Sequence, residues 1–383
     1  PSIWQVMLLG ALAVLLTGQI TPQQAFQAIN PDVMIFLAAM FVIGEAMQES
    51  GYLLYLFNRI FGRARNADQL VLLILFAMGF LSALLMNDTL AIIGTPLMLY
   101  FSRELKISAK MLLLTLAFAV TIGSAMSPIG NPQNLLIAIN SGLSNPFLVF
   151  LQHLMLPTVA NLILAYLLLR LFYSGQFEKK QLQIQSGQII DPNLARLSRL
   201  SFILLFALIL AKMGAVLLGI GQDFPLTYIA LISALPVLLF SSRRAEVVRG
   251  IDWCTLIFFA AMFVLMDAVW RSGFFQSLLA GPHSDLATVP AILAFSVVMS
   301  QLVSNVPLVA LFQPMLVHPS TEALMALAAG STIAGNLFIL GAASNVIIIQ
   351  NAEKSGETIT FLEFAKVGAP LTVLNILVYW IFL

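Results

Sequence analysis

The chain has 383 residues, 60% of them hydrophobic and 9% charged, with a formal net charge of +1 and a mean hydropathy of +0.97. A soluble domain is about a quarter charged, and apolar runs near the ~20 residues that cross a bilayer recur from one end to the other, so the chain reads as an all-α polytopic membrane protein. Its one cysteine, Cys254, excludes an intramolecular disulfide and makes no metal site by itself; so small a net charge carries no sign of a nucleic-acid partner.

The first residue is Pro1, so the start methionine is expected upstream. No small-residue cleavage site follows the first apolar run, so no cleavable signal peptide is expected. Apolar blocks between polar punctuation predict helices over 3–18, 33–50, 111–141, 147–172, 200–218, 225–241, 251–270, 322–351 and 361–382. Two further blocks, 68–103 and 288–318, are each interrupted in the middle. The polar stretch 173–199 reads as a linker between a first unit, 1–172, and a second, 200–383.

The two units match. Phe36-Leu37-Ala38-Ala39-Met40-Phe41-Val42 repeats as Phe258-Phe259-Ala260-Ala261-Met262-Phe263-Val264, and Glu45 meets Asp267 at the same offset. Ser82, Leu84, Asn87, Leu90 and Pro96 meet Ser300, Leu302, Asn305, Leu308 and Pro314. Thr121-Ile122, Gly130, Asn134 and Ile137 meet Thr332-Ile333, Gly341, Asn345 and Ile348. If each interrupted block is a hairpin returning to its own side, an odd number of crossings separates the copies. They are then inverted-topology repeats, an arrangement of transporters whose binding site lies where the copies meet. Charge supports this topology. Arg59, Arg63, Arg65, Arg103, Lys106, Lys110, Arg170, Lys179, Lys180, Arg196, Arg199, Arg243, Arg244, Arg249 and Lys354 fall in loops of one side, while the other side's loops hold Arg271. The positive-inside rule puts the first residue and the linker in the cytoplasm of a cell (inner) membrane protein. The segment 200–218 has no partner in the first copy; a helix upstream of Pro1 would supply it.

The interruptions carry the functional expectation. Irregular backbone at membrane depth is tolerated where it is buried in protein or lines a cavity. The stretch 128–134 (Pro-Ile-Gly-Asn-Pro-Gln-Asn) and its copy 340–345 (Leu-Gly-Ala-Ala-Ser-Asn) therefore predict two discontinuous helices. Gly130, Asn131, Asn134, Gly341, Ser344 and Asn345 would present freed carbonyls and amides to a solute or ion; the alternative is a pair of kinks serving packing. The arms 90–102 and 306–317 are short for a full crossing, which predicts two re-entrant hairpins. Their tips are Asn87-Asp88-Thr89 and Ser304-Asn305, with helix N-termini offering free N–H groups; the alternative is a pair of surface turns. Asp88 is the one acidic residue at a tip or break, hence the candidate proton-coupling group. Glu45 and Asp267 read as snorkelling or capping groups, Lys212 as reaching an interface or a carboxylate, and His153, His283 and His318 as lying near the outer surface. No phosphate loop, zinc motif or nucleophile elbow is present, so no enzyme, cofactor or resident metal is expected.

At the stretches NDTLAIIGTPLML, SPIGNPQNLLIA, SNVPLVALFQPML and ILGAASNVIIIQNAEKSGETITFLEFAKVGAPLTVL the chain resembles the ion transporter superfamily of ArsB-type arsenite exporters, NhaD-type sodium/proton antiporters and divalent-anion/sodium symporters. The resemblance covers the core of both units. It implies a scaffold plus a moving part of hairpins and broken helices, coupling to H+ or Na+, often a homodimer and, for an arsenite exporter, an ATPase subunit. The symporters look for Ser-Asn-Thr at both tips; here the tips read Asn-Asp-Thr and Ser-Asn-Val, which is closer to the arsenite and antiporter branches. No Arg or Lys falls at a tip or break, which suits a small inorganic solute that is neutral, such as As(OH)3, or a cation. The expectation is therefore a proton-coupled exporter of arsenite or antimonite. The alternatives are an inorganic or organic anion transporter coupled to Na+ or H+, a Na+/H+ antiporter, and, in a different class, a passive channel.

Overall fold

A computed structural model of the chain describes residues 3–177, 189–219, 224–279 and 288–383, and these are helical with short 3-10 turns. The first unit runs α1 (Ile3–Leu16), α2 (Pro22–Ala28), α3 (Pro31–Glu49), α4 (Tyr52–Phe61), α5 (Ala67–Leu85), α6 (Asn87–Leu105), α7 (Ala109–Ser124), α8 (Pro132–Asn140) and α9 (Pro146–Phe172). After α10 (Pro192–Leu217) the same order of long and short elements follows. These are α11 (Leu226–Phe240), α12 (Arg244–Gly250), α13 (Trp253–Arg271), α14 (Phe274–Leu279), α15 (Val289–Val303), α16 (Asn305–Phe312), α17 (Thr321–Ile333), α18 (Ala343–Glu353) and α19 (Phe361–Phe382).

The starts of these helices are written locally. Asn30, Asn66, Ser108, Asn131, Asn145, Asp252 and Ser320 each accept a hydrogen bond from the backbone N–H three residues on. Thr21 and Thr360 close full capping boxes with Gln24 and Glu363. Such caps satisfy donors that would otherwise be orphaned at a helix start. Among the described residues six helices are long and apolar enough to cross a membrane: α3, α5, α9, α10, α13 and α19. On α10, Leu200, Ile203, Phe206 and Leu210 are exposed; an apolar helix with its side chains facing outward is one whose solvent is lipid.

The packing is reciprocal between the units. α1 packs on α13 as α11 packs on α3; α5 on α7 as α15 on α17; α18 on α6 as α16 on α8; and α9 lies against α19. At the centre, α7 and α17 are buried along nearly their whole lengths. The approach of α5 to α7 is a backbone contact: a Cβ on Gly123 would lie 2.2 Å from the Gly79 carbonyl oxygen. Small residues at such crossings let membrane helices gain dispersion contacts where lipid offers no hydrophobic drive.

Several boundaries differ from the sequence-based expectation. Helix α10 starts at Pro192, inside the stretch read as linker 173–199, because Asp191 caps it, accepting from the Asn193 and Leu194 N–H groups, and Pro192 suits a first helical position. The arm expected over 90–102 is the 19-residue α6; it continues through the charged residues past Tyr100, so shortness does not distinguish its arm from a full crossing. The second break lies earlier than 340–345: 3-10 turns occupy Ala334–Asn336 and Ile339–Gly341, and α18 resumes at Ala343. Asp267 is paired with Arg271 (2.7 Å). Lys212 donates to the Phe224 carbonyl (2.6 Å). The His153 ring pairs with the Val149 carbonyl at 2.8 Å, His318 is exposed, and His283 lies outside the described residues.

Candidate functional site

Each helical hairpin turns on a single residue. Met86 (φ 69°, ψ 141°) joins α5 to α6 and Ser304 (φ 72°, ψ 161°) joins α15 to α16. A non-glycine residue held there costs about 1–3 kcal/mol, so two at equivalent positions are maintained by their surroundings. Neither turn places a side-chain cap on the following helix. The first-turn N–H groups of α6 and α16 are thus not taken by a cap, and the Asn87 N–H donates to the Gly130 carbonyl (3.0 Å), tying the first tip to the first break.

The first break, residues 125–131, is stapled by its own amides. Asn131 accepts from the Asn134 N–H (2.9 Å) and donates to Ser124 Oγ (2.9 Å) and to Thr332 Oγ1 of the other unit (3.1 Å). The Asn134 amide donates to the carbonyls of Ser124, Ala125 and Ser127 at 3.3, 3.3 and 3.1 Å. Both side chains are committed to the backbone that the missing helical turn leaves open. In the second break, Asn345 donates to the Gly335 carbonyl (2.5 Å) and Gln301 to that of Ala334 (2.9 Å). Gly130 and Gly341 are not among the glycines with positive φ, so left-handed backbone does not explain them. Close approach does: a Cβ would lie 2.3 Å from the Ser124 oxygen at Gly130 and 2.6 Å from the Ala334 oxygen at Gly341.

Both tips meet at one cavity of about 260 Å³. Asn87 and Asp88 come to it from α6, Ser304, Asn305 and Val306 from the second tip, and Leu340, Ala342 and Ala343 from the second break. Asn87, Asp88 and Asn305 are buried, at 6%, 7% and 6% exposure. The other expected site residues stand behind this lining. Thr89 packs against α3, where a Cβ on Gly44 would meet its Cγ2 at 2.8 Å. Gly130, Asn131 and Asn134 form the staple, and Gly341, Ser344 and Asn345 lie beside the lining residues of the second break.

Among the described residues the lining holds no Lys, Arg or His. Its polar groups are the carboxyls of Asp88 and Asp252 together with groups that can both donate and accept, the amides of Asn87, Gln133, Asn305 and Gln350 and the hydroxyls of Thr255 and Ser304. Asp252 caps α13, accepting from the Thr255 N–H (3.0 Å) and hydroxyl (2.5 Å). It was missed in the sequence, as were Gln133 and Gln350. The available signal was that α3 and α13 both open with an acidic residue, Asp32 and Asp252, but which helix end faces the tips is a matter of tertiary packing. Such a site suits a ligand that donates hydrogen bonds or carries positive charge. Among the described residues no three His, Cys, Asp or Glu side chains are grouped to hold a metal ion.

Comparison with known proteins assigns the class. An uncharacterized transporter of Mycobacterium bovis is 30% identical across 99% of this chain and 92% of its own length. A silicon efflux transporter of Oryza sativa subsp. japonica is 25% identical across 96% of this chain and 89% of its own. The crystal structure of the YdaH transporter of Alcanivorax borkumensis superposes over 100% of this chain and 97% of that one, with a TM-score of 0.61 at 15% identity, a likeness of fold. The family model described as "Citrate transporter" matches residues 2–323. The chain belongs to that family, CitMHS, and is a multi-pass secondary transporter, not an enzyme.

Proposed function

We propose that the chain exports a small, neutral, hydroxylated inorganic solute across the cell membrane in exchange for protons, with arsenous or antimonous acid as the first candidates. The observation that carries this reading is the lining of the tip cavity, which among the described residues has two carboxyl groups and no cationic side chain. A trianion such as citrate would meet uncompensated repulsion there, which costs far more at low dielectric than in water. A solute rich in O–H groups would instead donate to the Asp88 and Asp252 carboxyls and exchange hydrogen bonds with the lining amides and hydroxyls. The similarity to a silicon efflux transporter points the same way, since silicon in neutral water is Si(OH)4.

The architecture behind this reading is a pair of inverted repeats with re-entrant hairpins, supported by the reciprocal packing, the matching tip backbones and the burial of both tips. With the basic loops in the cytoplasm, the cavity lies toward the cytoplasmic ends of α1 and α13, through Trp4 and Asp252. Asp88 would exchange solute against proton. A second reading, anion uptake, draws on the family match and on the uncapped helix starts at both tips, which can hold an oxyanion. Proteoliposomes with an imposed pH gradient separate the two. Uphill flux of arsenous or silicic acid is expected, with citrate inert; citrate flux without flux of the neutral solutes would favour the second reading.

A further inference from the structure

Helix α4 joins α3 to α5, both long and apolar enough to cross a membrane. Its 10 residues rise about 15 Å, half of the ~30 Å hydrocarbon core. It therefore lies along the membrane face at which α3 leaves and α5 re-enters. One side of α4 is fixed to the protein. Leu53, Phe57 and Phe61 are fully buried; Phe57 stacks on Phe61 (5.7 Å between ring centroids), and Phe61 meets Phe101 of α6 edge-on (5.8 Å). The other side and the turn after it carry Arg59, Arg63 and Arg65, all exposed. The Arg63 N–H donates to the Ile60 carbonyl (3.3 Å) and that of Ala64 to Phe61 (2.9 Å), so the coil continues past α4 and Arg59 and Arg63 stand one turn apart on one face. Arg65 follows within about 7 Å of chain.

Elsewhere on the protein, basic side chains meet carboxylates: Arg243 bridges three, and Lys110, Arg170 and Arg271 meet Glu363, Asp68 and Asp267. Among the described residues Arg59, Arg63 and Arg65 form no ion pair; Arg59 has only the Tyr55 hydroxyl, 3.4 Å from its Nη1. The carboxylates nearest to them in sequence are engaged elsewhere. Glu49 holds Arg243 (3.0 Å), and Asp68 holds Arg170 (3.5 Å) and accepts from the Tyr166 hydroxyl (2.6 Å). At the end of α6, Glu104 and Lys106 cancel in charge. The patch thus keeps three positive charges within two turns of chain, on a backbone anchored by its buried aromatic face.

We propose that Arg59, Arg63 and Arg65 hold the headgroup phosphate of an anionic phospholipid in the leaflet that α4 borders. A guanidinium presents a planar fork of donors that matches a phosphate, and the site lies where lipid phosphates are. Leu54, 39% exposed on α4, and Tyr55 supply the apolar and amphipathic neighbours that an acyl chain and its glycerol linkage would meet; a soluble anion has no use for them. Each basic side chain near an anionic surface is worth about a fivefold preference, so three favour an anionic over a zwitterionic lipid on the order of a hundredfold. Helix α4 leads from α3 into the hairpin of α5 and α6, whose tip lines the cavity, so a bound lipid steadies that joint. None of this depends on which solute the cavity takes.

The test offers the purified full-length chain, in neutral detergent, equal amounts of phosphatidylglycerol and phosphatidylcholine with the same acyl chains, and counts the retained lipids by native mass spectrometry. Wild type should retain phosphatidylglycerol with a strong preference, and the triple variant Arg59→Gln, Arg63→Gln, Arg65→Gln should lose most of it. Arg249→Gln, which removes an exposed cation of α12, should keep the wild-type preference. A triple variant that still prefers phosphatidylglycerol as wild type does overturns the proposal. So does an equal loss in Arg249→Gln, which would make the preference a property of the basic face as a whole. If the triple variant does not fold, Arg63→Gln alone reads the same point: about a fivefold loss is expected, and none overturns the proposal. Glycerol phosphate that raises the wild-type Tm as much as phosphatidylglycerol does, through the same arginines, would assign the site to a soluble anion and overturn the lipid.

Discussion

Gly130→Ala puts the geometry of the first break to its hardest test. The added methyl carbon would lie 2.3 Å from the Ser124 oxygen and 2.8 Å from its Cα. A carbon rests against a carbonyl oxygen at about 3.3 Å or more, so the two strands of the break must separate by about 1 Å. Both are backbone, and no flexible side chain can yield in their place. The same movement stretches the bonds from Asn134 to the Ser124, Ala125 and Ser127 carbonyls, which start at 3.1–3.3 Å, beyond hydrogen-bonding range. Overpacking of this kind costs about 1–3 kcal/mol and each of the three lost hydrogen bonds about 1 kcal/mol, so a loss of about 4–6 kcal/mol is expected. The Gly130 carbonyl also accepts from the Asn87 N–H (3.0 Å), so the first tip shifts with it. Thermal unfolding in detergent should show a Tm lowered by roughly 5 °C or more, and proteoliposome flux should fall to background. Gly10→Ala is the control: its Cβ would meet only the end of the Leu265 side chain, at 3.0 Å, which can rotate. A Gly130→Ala protein as stable and active as Gly10→Ala would refute the reasoning.

The remaining expectations are smaller. Asp88→Asn keeps the size and the polar tip but cannot carry a proton; flux driven by a pH gradient should fall to background while solute exchange at equal pH persists, and wild-type pH-driven flux would send the proton elsewhere. Thr158→Val removes the buried bond between Thr158 Oγ1 and the Tyr379 hydroxyl (2.8 Å), which joins α9 to α19. It should cost about 1–2 kcal/mol by thermal melt, and adding Tyr379→Phe should cost little more, because the two act as one unit. Arg243 bridges Glu246 (2.6 Å), Glu49 (3.0 Å) and Asp191 (3.7 Å), tying the ends of α3, α10 and α12 together. Arg243→Gln should lower the Tm slightly at low salt, and the difference should close as ionic strength rises.

Much of the fold is legible in the residues alone because the bilayer demands it. Apolar blocks, the caps at Asn30, Asn66, Ser108 and Asn145, and the prolines at 31, 132 and 146 are local, and each acts through backbone donors and acceptors within a few residues. The matching stretches of the two halves are legible too, and they fall on helices that pack reciprocally; the match of Thr158-Val159 and Asn161 to Thr372-Val373 and Asn375 lies on the contacting helices α9 and α19. What a residue does inside a break could not be read this way. Asn131 and Asn134 look like ligands in a one-dimensional string, yet their partners include Thr332, some 200 positions away, and they close the backbone rather than line the cavity. Asp252 looks like a helix cap and is one, but it also faces Asp88, because α13 and α6 come to one cavity only once the two units interlock. Local chemistry decides where helices begin and break; which buried polar group stays unpaired, and so can meet a ligand, depends on distances between segments remote in sequence, and only the packed structure sets those.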